Sequence, residues 1–263
     1  MQHTLLENFR PFLSSTPLDQ FTIRNFISLN ADLLDIHISL TNIGFYLMIA
    51  FLIIFAFFNL ADNYEISVPN GWSLSLESIY STVYSIVINQ INEKKGLIFY
   101  PIISALFVYI LINNLVGMVP YSFAPTSHFI LAFSLSFTIV IGATILGLAK
   151  HGLKFFSLFV PSGCPLGLLP LLVLIEFISY LSRNVSLGLR LAANILSGHM
   201  LLNILSGFTY NILNKGLLYV ILGLIPVLFI IAFSGLEIGI AFIQAQVFVV
   251  LSSSYIKDGL DLH

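Results

Sequence analysis

Charged and amide side chains interrupt one apolar run, residues 169–205, and these side chains could carry acid–base or electrostatic chemistry. They are Glu176, Arg183, Arg190, Asn194 and His199. A charge at membrane depth costs a few kcal/mol, roughly 2.5 to 3.5 on insertion scales, so an ionisable residue there is a candidate for function. Small residues near Arg190, including Ser186, would let another helix approach closely. That helix need not belong to this chain.

Helical geometry sorts these polar residues into two faces, because an α-helix turns about 100° per residue. His199 would project about 180° away from Arg190. Glu237 and Gln244 on the last apolar segment are seven residues apart and would share a face. A sector of roughly 60° would hold the remaining polar side chains, which are Glu176, Arg183, Arg190, Asn194 and Ser197.

Arg190, His199 and Glu237 offer different chemistry. A guanidinium stays protonated at any accessible pH, so Arg190 could keep a nearby carboxylate ionised without relaying a proton itself. Imidazole and carboxyl groups exchange protons, so His199 and Glu237 could be stations in a proton path. Two alternatives remain open: ion pairs that only fix helix packing, Arg183 being the best candidate, and a zinc site on His199 and Glu237, which lacks a third ligand.

The composition predicts an all-α integral membrane protein with a single membrane domain over residues 1–263. The chain is 58% hydrophobic and only 8% charged, with a mean hydropathy of +0.99, whereas soluble proteins are about 25% charged. A net charge of -2 without a basic stripe excludes nucleic-acid binding. Cys164 is the only cysteine, which excludes an intramolecular disulfide and Cys-based metal sites. We find no phosphate-binding loop or catalytic triad and expect neither an enzyme in its own right nor a cofactor.

The apolar segments predict the order of the elements. Residues 1–38 are the most polar part and are expected to form an extramembrane arm; they lack a signal or transit pattern, although a short removable leader before Pro17 is compatible with the sequence. About 20 apolar residues cross a hydrocarbon core of about 30 Å. We therefore expect spans at residues 40–61, 97–119 and 127–149, and an amphipathic helix at 73–92 that lies on the membrane surface, packs on the protein, or both.

Two further apolar segments, residues 167–206 and 217–255, are too long for upright spans. A helix of about 40 residues is about 60 Å long, twice the hydrocarbon thickness. The sequence therefore predicts two long, strongly tilted helices that form a hairpin. Pro226 is expected either to kink the second helix or to begin it.

Smaller polar features bear on orientation and on the proton path. Asn113 and Asn114 would be costly in lipid, so they are expected either to join helices or to line a hydrated path. His128 at the membrane boundary is expected to be a solvated end residue.

The turn at residues 120–127 has no Lys or Arg, whereas the flanking regions hold basic residues, which predicts an outer amino terminus and an inner carboxyl terminus. These basic residues are Lys94, Lys95, Lys150, Lys154 and Lys257.

The chain resembles the subunit a family of F-type ATP synthases, in its mitochondrial and fungal-like form, nearly from end to end. The segments that carry the resemblance are residues 17–21 (PLDQF), 118–124 (MVPYSFA), 150–152 (KHG), 155–161 (FFSLFVP), 186–191 (SLGLRL) with Asn194 and the pair 198–199 (GH), Glu237 with Gln244, and 254–258 (SYIKD). Each segment alone is a weak signal, but together and in this order they are specific.

This resemblance implies a proton-translocating stator that clasps a rotating ring of c subunits and provides two offset half-channels. By matching position, Arg190 is the arginine that faces the ring carboxylates, with Asn194 and Gln244 near it. His199 and Glu237 match the half-channel open to the intermembrane space. The matrix exit is matched by Glu176 and Asp258. The bacterial pattern exchanges the carboxylate and the histidine, so the order found here favours a mitochondrial source.

The family also implies partners and a location. The partners are the c-subunit ring, the peripheral stalk and the other membrane-sector subunits, with the lipid bilayer and protons. The location is the mitochondrial inner membrane, with the amino terminus towards the intermembrane space and the carboxyl terminus towards the matrix. Two competing functions are a self-contained proton-coupled transporter, which should show repeated halves, and a structural scaffold, which would not need Arg190.

Overall fold

The computed structural model describes residues 18–31, 36–61, 70–119, 122–160, 167–215 and 217–260. Within these ranges five helices are long and apolar enough to cross a membrane, and the expected class of an all-α integral membrane protein is confirmed. The expected removable leader before Pro17 lies outside the described residues, as do residues 62–69, 120–121 and 161–166.

Two strands and six α-helices make up the described chain. The strands are β1 (Asn25–Ala31) and β2 (Ile36–Thr41), and the helices are α1 (Asn42–Ala61), α2 (Gly71–Ile91), α3 (Glu93–Gly117), α4 (Phe129–His151), α5 (Leu169–Leu213) and α6 (Leu217–Leu260). Short 3₁₀ turns occur at Asp19–Phe21, Pro125–Ser127 and Gly152–Phe159. All of the helices except α2 are candidate spans, and the span at α4 includes the 3₁₀ turn that follows it.

The expected extramembrane arm contains a β-hairpin that the sequence reasoning missed. β1 and β2 pair antiparallel, with Leu29 opposite Ile38. The buried Asn42 side chain joins this arm to the start of α1: its Nδ2 donates to the Thr22 carbonyl at 2.9 Å, and its Oδ1 accepts from the Arg24 amide at 3.3 Å. The Asn42 amide also donates to the Arg24 carbonyl at 3.0 Å. The arm is therefore fixed to the first membrane helix at its base.

Helix α2 packs on the rest of the protein. Its buried residues Val83, Val87 and Ile91 recur every four residues, as one face of an α-helix requires, and they face α1, α3 and α6. Asn92 has a φ of 90° and separates α2 from α3. Helix α3 therefore begins at Glu93, four residues before the expected start at residue 97, because the charged residues form its first turn.

The two last helices are even longer than expected. α5 has 45 residues and α6 has 44, so each is about 66 Å long at 1.5 Å per residue. Instead of ending at residues 206 and 255 they continue to Leu213 and Leu260. Pro226 does not begin α6, because the helix starts nine residues earlier at Leu217. Their tilt relative to the bilayer normal stays a prediction.

The core of the bundle lies between the inner faces of α3, α4, α5 and α6. On α5 the largest fully buried side chains are Leu187, Leu191 and Ile195. Leu187 and Leu191 belong to the same core cluster as Phe248 of α6. Gly188 lies so close to α4 that a Cβ there would be 2.9 Å from the Phe133 ring. The outer faces of α5 and α6 keep large apolar side chains exposed, as expected where a surface meets lipid or another subunit.

Two of the lysines that were predicted to lie on the inner side of the membrane come together at one end of the bundle, where α3, α4 and α6 meet. Lys150 at the end of α4 donates to the Leu260 carbonyl at 2.8 Å, and His151 Nε2 lies 3.1 Å from the same oxygen. Lys95 and Lys150 line one cavity of about 460 Å³. Cationic groups near the carboxyl end of α6 also interact favourably with its helix dipole.

Candidate functional site

Arg190 lies on the outer face of α5, where it lines a shallow apolar groove of about 680 Å³. The groove follows α5 for about four helical turns at 3.6 residues per turn. It is lined by Ile178, Leu181, Ser182, Val185, Ser186, Leu189, Arg190 and Ala193. No carboxylate among the described residues forms an ion pair with the Arg190 guanidinium. A cation on an apolar, open face of a membrane helix is costly when it is unpaired, so this position favours an anionic partner other than the described residues.

The two faces expected on α5 are present. Glu176, Arg183, Arg190 and Ser197 are all exposed on one side, whereas His199 is half-buried. Asn194, which was expected with the exposed group, is half-buried as well and bonds to Gln244 of α6. The buried positions Leu187, Leu191 and Ile195 are four residues apart and turn the other side of the helix into the bundle. This packing is what leaves the cationic face open.

Asn194 and Gln244 meet between the two long helices. Asn194 Nδ2 donates to Gln244 Oε1 at 3.0 Å. Gln244 is 2% exposed, and its own Nε2 has no hydrogen-bond partner. The contact therefore links α5 and α6 one turn beyond Arg190 and leaves one amide donor available for a further group.

His199 and Glu237 lie in the same region of the α5–α6 interface. Glu237 is 6% exposed, and its carboxylate lies against the backbone of Gly198, where a Cβ would be 2.8 Å from the Glu237 Cδ. His199 is the next residue along α5. The two side chains make no direct hydrogen bond, and both His199 Nε2 and Glu237 Oε1 are buried without a partner. Each of these two unsatisfied polar atoms is a candidate site for an ordered water.

Asn113 and Asn114 lie fully buried near the end of α3. Asn113 Nδ2 donates to the Tyr109 carbonyl of its own helix at 2.8 Å, but its Oδ1 has no partner. Both polar atoms of the Asn114 amide also lack partners. If these amides joined helices, their polar atoms would be hydrogen-bonded to a neighbouring helix, and three of them are not. The geometry therefore favours the alternative that the pair lines a hydrated path.

At the opposite end of the long helices, Arg183 and Asp258 form an ion pair of 3.7 Å between α5 and α6. Glu176, which lies seven residues before Arg183, is exposed and makes no hydrogen bond or ion pair with the described residues. The structure therefore brings Asp258 together with Arg183, not with Glu176.

No described group of three or more His, Cys, Asp or Glu side chains could hold a metal ion, so His199 and Glu237 gain no third ligand among the described residues.

Comparison with known proteins identifies the family. The family model described as "ATP synthase A chain" matches residues 44–257. The chain is 73% identical over 249 residues to "ATP synthase subunit a" of Emericella nidulans, covering 94% of this chain and 97% of that protein. It is 68% identical over 251 residues to "ATP synthase subunit a" of Podospora anserina, covering 95% of each, and 47% identical over 264 residues to "ATP synthase subunit a" of Candida glabrata, covering all of both.

The chain belongs to the ATP synthase A chain family. The resemblance inferred from the sequence is thereby confirmed, including its fungal-like form. The family is a proton-translocating component of the synthase membrane sector, and a self-contained transporter is not favoured.

Three polar residues near these sites were not singled out from the sequence as site residues. Thr126 is fully buried with an unpaired hydroxyl, and Tyr255, 2% exposed, has an unpaired hydroxyl beside the Tyr180 ring. His128 is not the solvated end residue that we expected, because its ring stacks on Phe123 at 5.2 Å and its Nε2 is buried. Burial lowers the pKa of this imidazole. The residues between Phe123 and His128 are small and uncharged, and this feature of the sequence could have indicated that the turn is buried.

Proposed function

We propose that this chain is the non-catalytic, proton-translocating stator of an F-type ATP synthase and couples proton flow to ATP synthesis. One observation carries the proposal: Arg190 lines an open apolar groove on α5 without a carboxylate partner among the described residues. A ring of c subunits that presents buried carboxylates would supply the missing partner. The other partners in this proposal are the peripheral stalk and the remaining membrane-sector subunits.

The role of Arg190 in this proposal follows from the cost of charge in lipid. A ring carboxylate must be neutral while it faces hydrocarbon, and it must ionise to release its proton. Arg190 offers a place where the ionised form is stabilised. Its fixed positive charge also opposes direct proton passage past the groove, and its planar guanidinium can bind successive carboxylates as the ring turns.

Two half-channels would bring protons to the groove and away from it. We assign His199 and Glu237 to the inlet, with Asn113 and Asn114 as supporting residues, because their unpaired buried atoms can hold waters. We assign Glu176, Asp258 and Arg183 to the exit, because they lie at the other end of α5 and α6. Asn194 and Gln244 would lie between the two, close to Arg190.

The location of the protein in this proposal is the mitochondrial inner membrane, which it crosses several times. The amino-terminal arm and the turn at Pro125–Ser127 would face the intermembrane space, and the lysine-containing end of the bundle would face the matrix. The lysines at positions 95 and 150 lie at that end, which agrees with the preference of basic residues for the inner side.

Site-specific cross-linking tests the ring as partner. A photoreactive residue at Ser186, which lines the groove, should cross-link to a small hairpin subunit of a ring in the purified complex. The same residue at Phe51 of α1, which is exposed but far along the chain from the groove, is the control and should not. Equal cross-linking from both positions, or none from Ser186 in an assembled complex, would contradict the assignment of the groove.

Proton conductance tests the inlet separately. Glu237→Gln should strongly slow passive proton flow through the membrane sector in reconstituted vesicles while the ring stays bound. His199→Ala should have a milder effect, because a water can occupy the space that the imidazole leaves. An unchanged conductance in an assembled Glu237→Gln complex would remove Glu237 from the path.

A further inference from the structure

The amino-terminal arm reaches the inlet and contacts His199 there. The ring of Phe21, the last residue of the 3₁₀ turn Asp19–Phe21, meets the His199 imidazole edge to face, with centroids 6.3 Å apart and planes at 74°. Aromatic rings prefer this arrangement because the positive edge of one ring lies on the negative face of the other. The contact joins residues that are 178 positions apart in the sequence.

The arm is held in this place from its base. Asn42 at the start of α1 exchanges three hydrogen bonds with the backbone of Thr22 and Arg24, at 2.9, 3.3 and 3.0 Å. Thr22 is the residue directly after Phe21, so the clamp fixes the backbone beside the ring. The hairpin of β1 and β2 continues the arm from Asn25. Phe21 is therefore presented by a defined local structure that is attached to a membrane helix.

The other sides of the imidazole are enclosed by the bundle. A Cβ at Gly117, at the end of α3, would lie 3.9 Å from His199 Nε2 and 2.8 Å from the Ala124 Cβ. Position 117 is thus in contact with both the turn after α3 and the imidazole. His199 Nε2 is buried without a hydrogen-bond partner, so the Phe21 ring and the end of α3 together cover the imidazole.

We propose that Phe21 is a positioning residue for His199: the arm holds the Phe21 ring over the imidazole, covers position 199 on that side and fixes the imidazole towards the α5–α6 interface. The effect of Phe21 on proton flow depends on the proposed role of His199 as an inlet residue. The covering of position 199 by the arm is a separate claim, and it can be measured without any proton transport.

Thiol labelling measures the covering directly. In the assembled complex, His199→Cys is combined with Cys164→Ser, so that position 199 holds the chain's only thiol. A membrane-impermeant maleimide is then added from the side of the arm. Adding Phe21→Ala should raise the labelling rate about two- to tenfold, because the large aromatic side chain that covers position 199 is then missing from the arm.

Phe26→Ala is the matched control in the same arm. Phe26 is 64% exposed and its ring packs on Phe45 at 5.7 Å, not on the inlet. This control should label at the rate of the parent. Equal labelling with and without Phe21→Ala would overturn the inference, and so would an equal increase with Phe26→Ala, because that result would mean general loosening of the arm.

A double-mutant cycle separates positioning from stability. With His199 present, Phe21→Ala should lower passive proton conductance about two- to tenfold, and Phe21→Tyr, which keeps the ring, should restore it. In a His199→Ala complex, Phe21→Ala should have no further effect, since two residues that act through one contact are not additive. Equal losses in both backgrounds would overturn the positioning role. If instead labelling behaves as expected but His199→Ala leaves conductance unchanged, the inlet assignment fails and the covering of position 199 stands.

Discussion

Replacing Gly198 by Ala places a methyl group directly against the Glu237 carboxylate. A Cβ at this position would lie 2.8 Å from Glu237 Cδ and 3.2 Å from its Cγ, whereas non-bonded carbon atoms prefer separations of about 3.5–4.0 Å. Glu237 is 6% exposed and has little room to move. Either the carboxylate shifts from its position beside His199, or the two long helices move apart.

The size of the effect follows from the cost of overpacking. Inserting a methyl group into a well-packed interior costs about 1–3 kcal/mol, and each 1.36 kcal/mol is a factor of ten. If proton flow needs the native Glu237 position, Gly198→Ala should lower passive proton conductance about 5- to 160-fold. The variant is informative because it leaves every ionisable group of the inlet chemically unchanged.

Gly207→Ala provides the control on the same helix. A Cβ at Gly207 would have no neighbour within 4 Å, and both substitutions gain the same helix propensity of about 1 kcal/mol. Conductance should be measured in vesicles that contain equal amounts of assembled membrane sector. If Gly198→Ala conducts as well as Gly207→Ala, the position of the Glu237 carboxylate does not limit proton flow.

Three further expectations concern stability and can be checked by thermal unfolding of the purified complex. Arg183→Ala should change stability by under about 1 kcal/mol, because its ion pair with Asp258 is partly exposed and is long at 3.7 Å. Asn194→Ala should cost more, about 1–3 kcal/mol, because it leaves the buried Gln244 Oε1 without a donor. Burial lowers the pKa of His128, so the unfolded chain binds that proton more readily, and stability should fall as the pH drops below about 6.5. His128→Phe should remove that part of the loss, and an unchanged pH profile would contradict this account of the imidazole.

The elements of the fold were largely predictable because the hydrophobic segments are long and uninterrupted. The described helices begin and end within seven residues of the expected bounds, and the excess length of the last two was evident from the sequence. The ends were less predictable, since polar residues such as Lys257 and Asp258 occupy the last turn of α6 instead of ending it. Glu93 likewise begins a helix although it is charged. A single residue, Asn92 with its positive φ, separates α2 from α3.

The hairpin of the arm could not be predicted in the same way. β1 and β2 are only seven and six residues long. The alternation of Ile36, Ile38 and Leu40 with polar residues marks β2 as a strand, but no equally regular pattern marks β1 or the pairing of the two strands. Their position depends on the Asn42 hydrogen bonds to Thr22 and Arg24, which are long-range contacts that local pattern does not specify.

The faces of α5 were predictable from 100° geometry alone, and so was the separation of Arg190 from His199. The pairing of side chains across helices was not. The family resemblance assigned both Asp258 and Glu176 to the matrix exit but named no ion-pair partner for either, whereas the packing of α5 on α6 places Asp258 beside Arg183. The contact of Phe21 with His199 likewise depends on how a polar arm folds back, which periodicity does not describe.

The most direct measurement of the central claim is ATP-driven proton pumping by an assembled complex that carries Arg190→Ala. The Arg190 guanidinium has no carboxylate partner among the described residues, so its removal should leave assembly largely intact while abolishing coupled pumping. Arg190→Lys should abolish coupled pumping as well, because a lysine ammonium can lose its proton and lacks the planar guanidinium that binds a carboxylate through two N–H groups. Coupled pumping retained by the assembled Arg190→Ala complex would contradict the account.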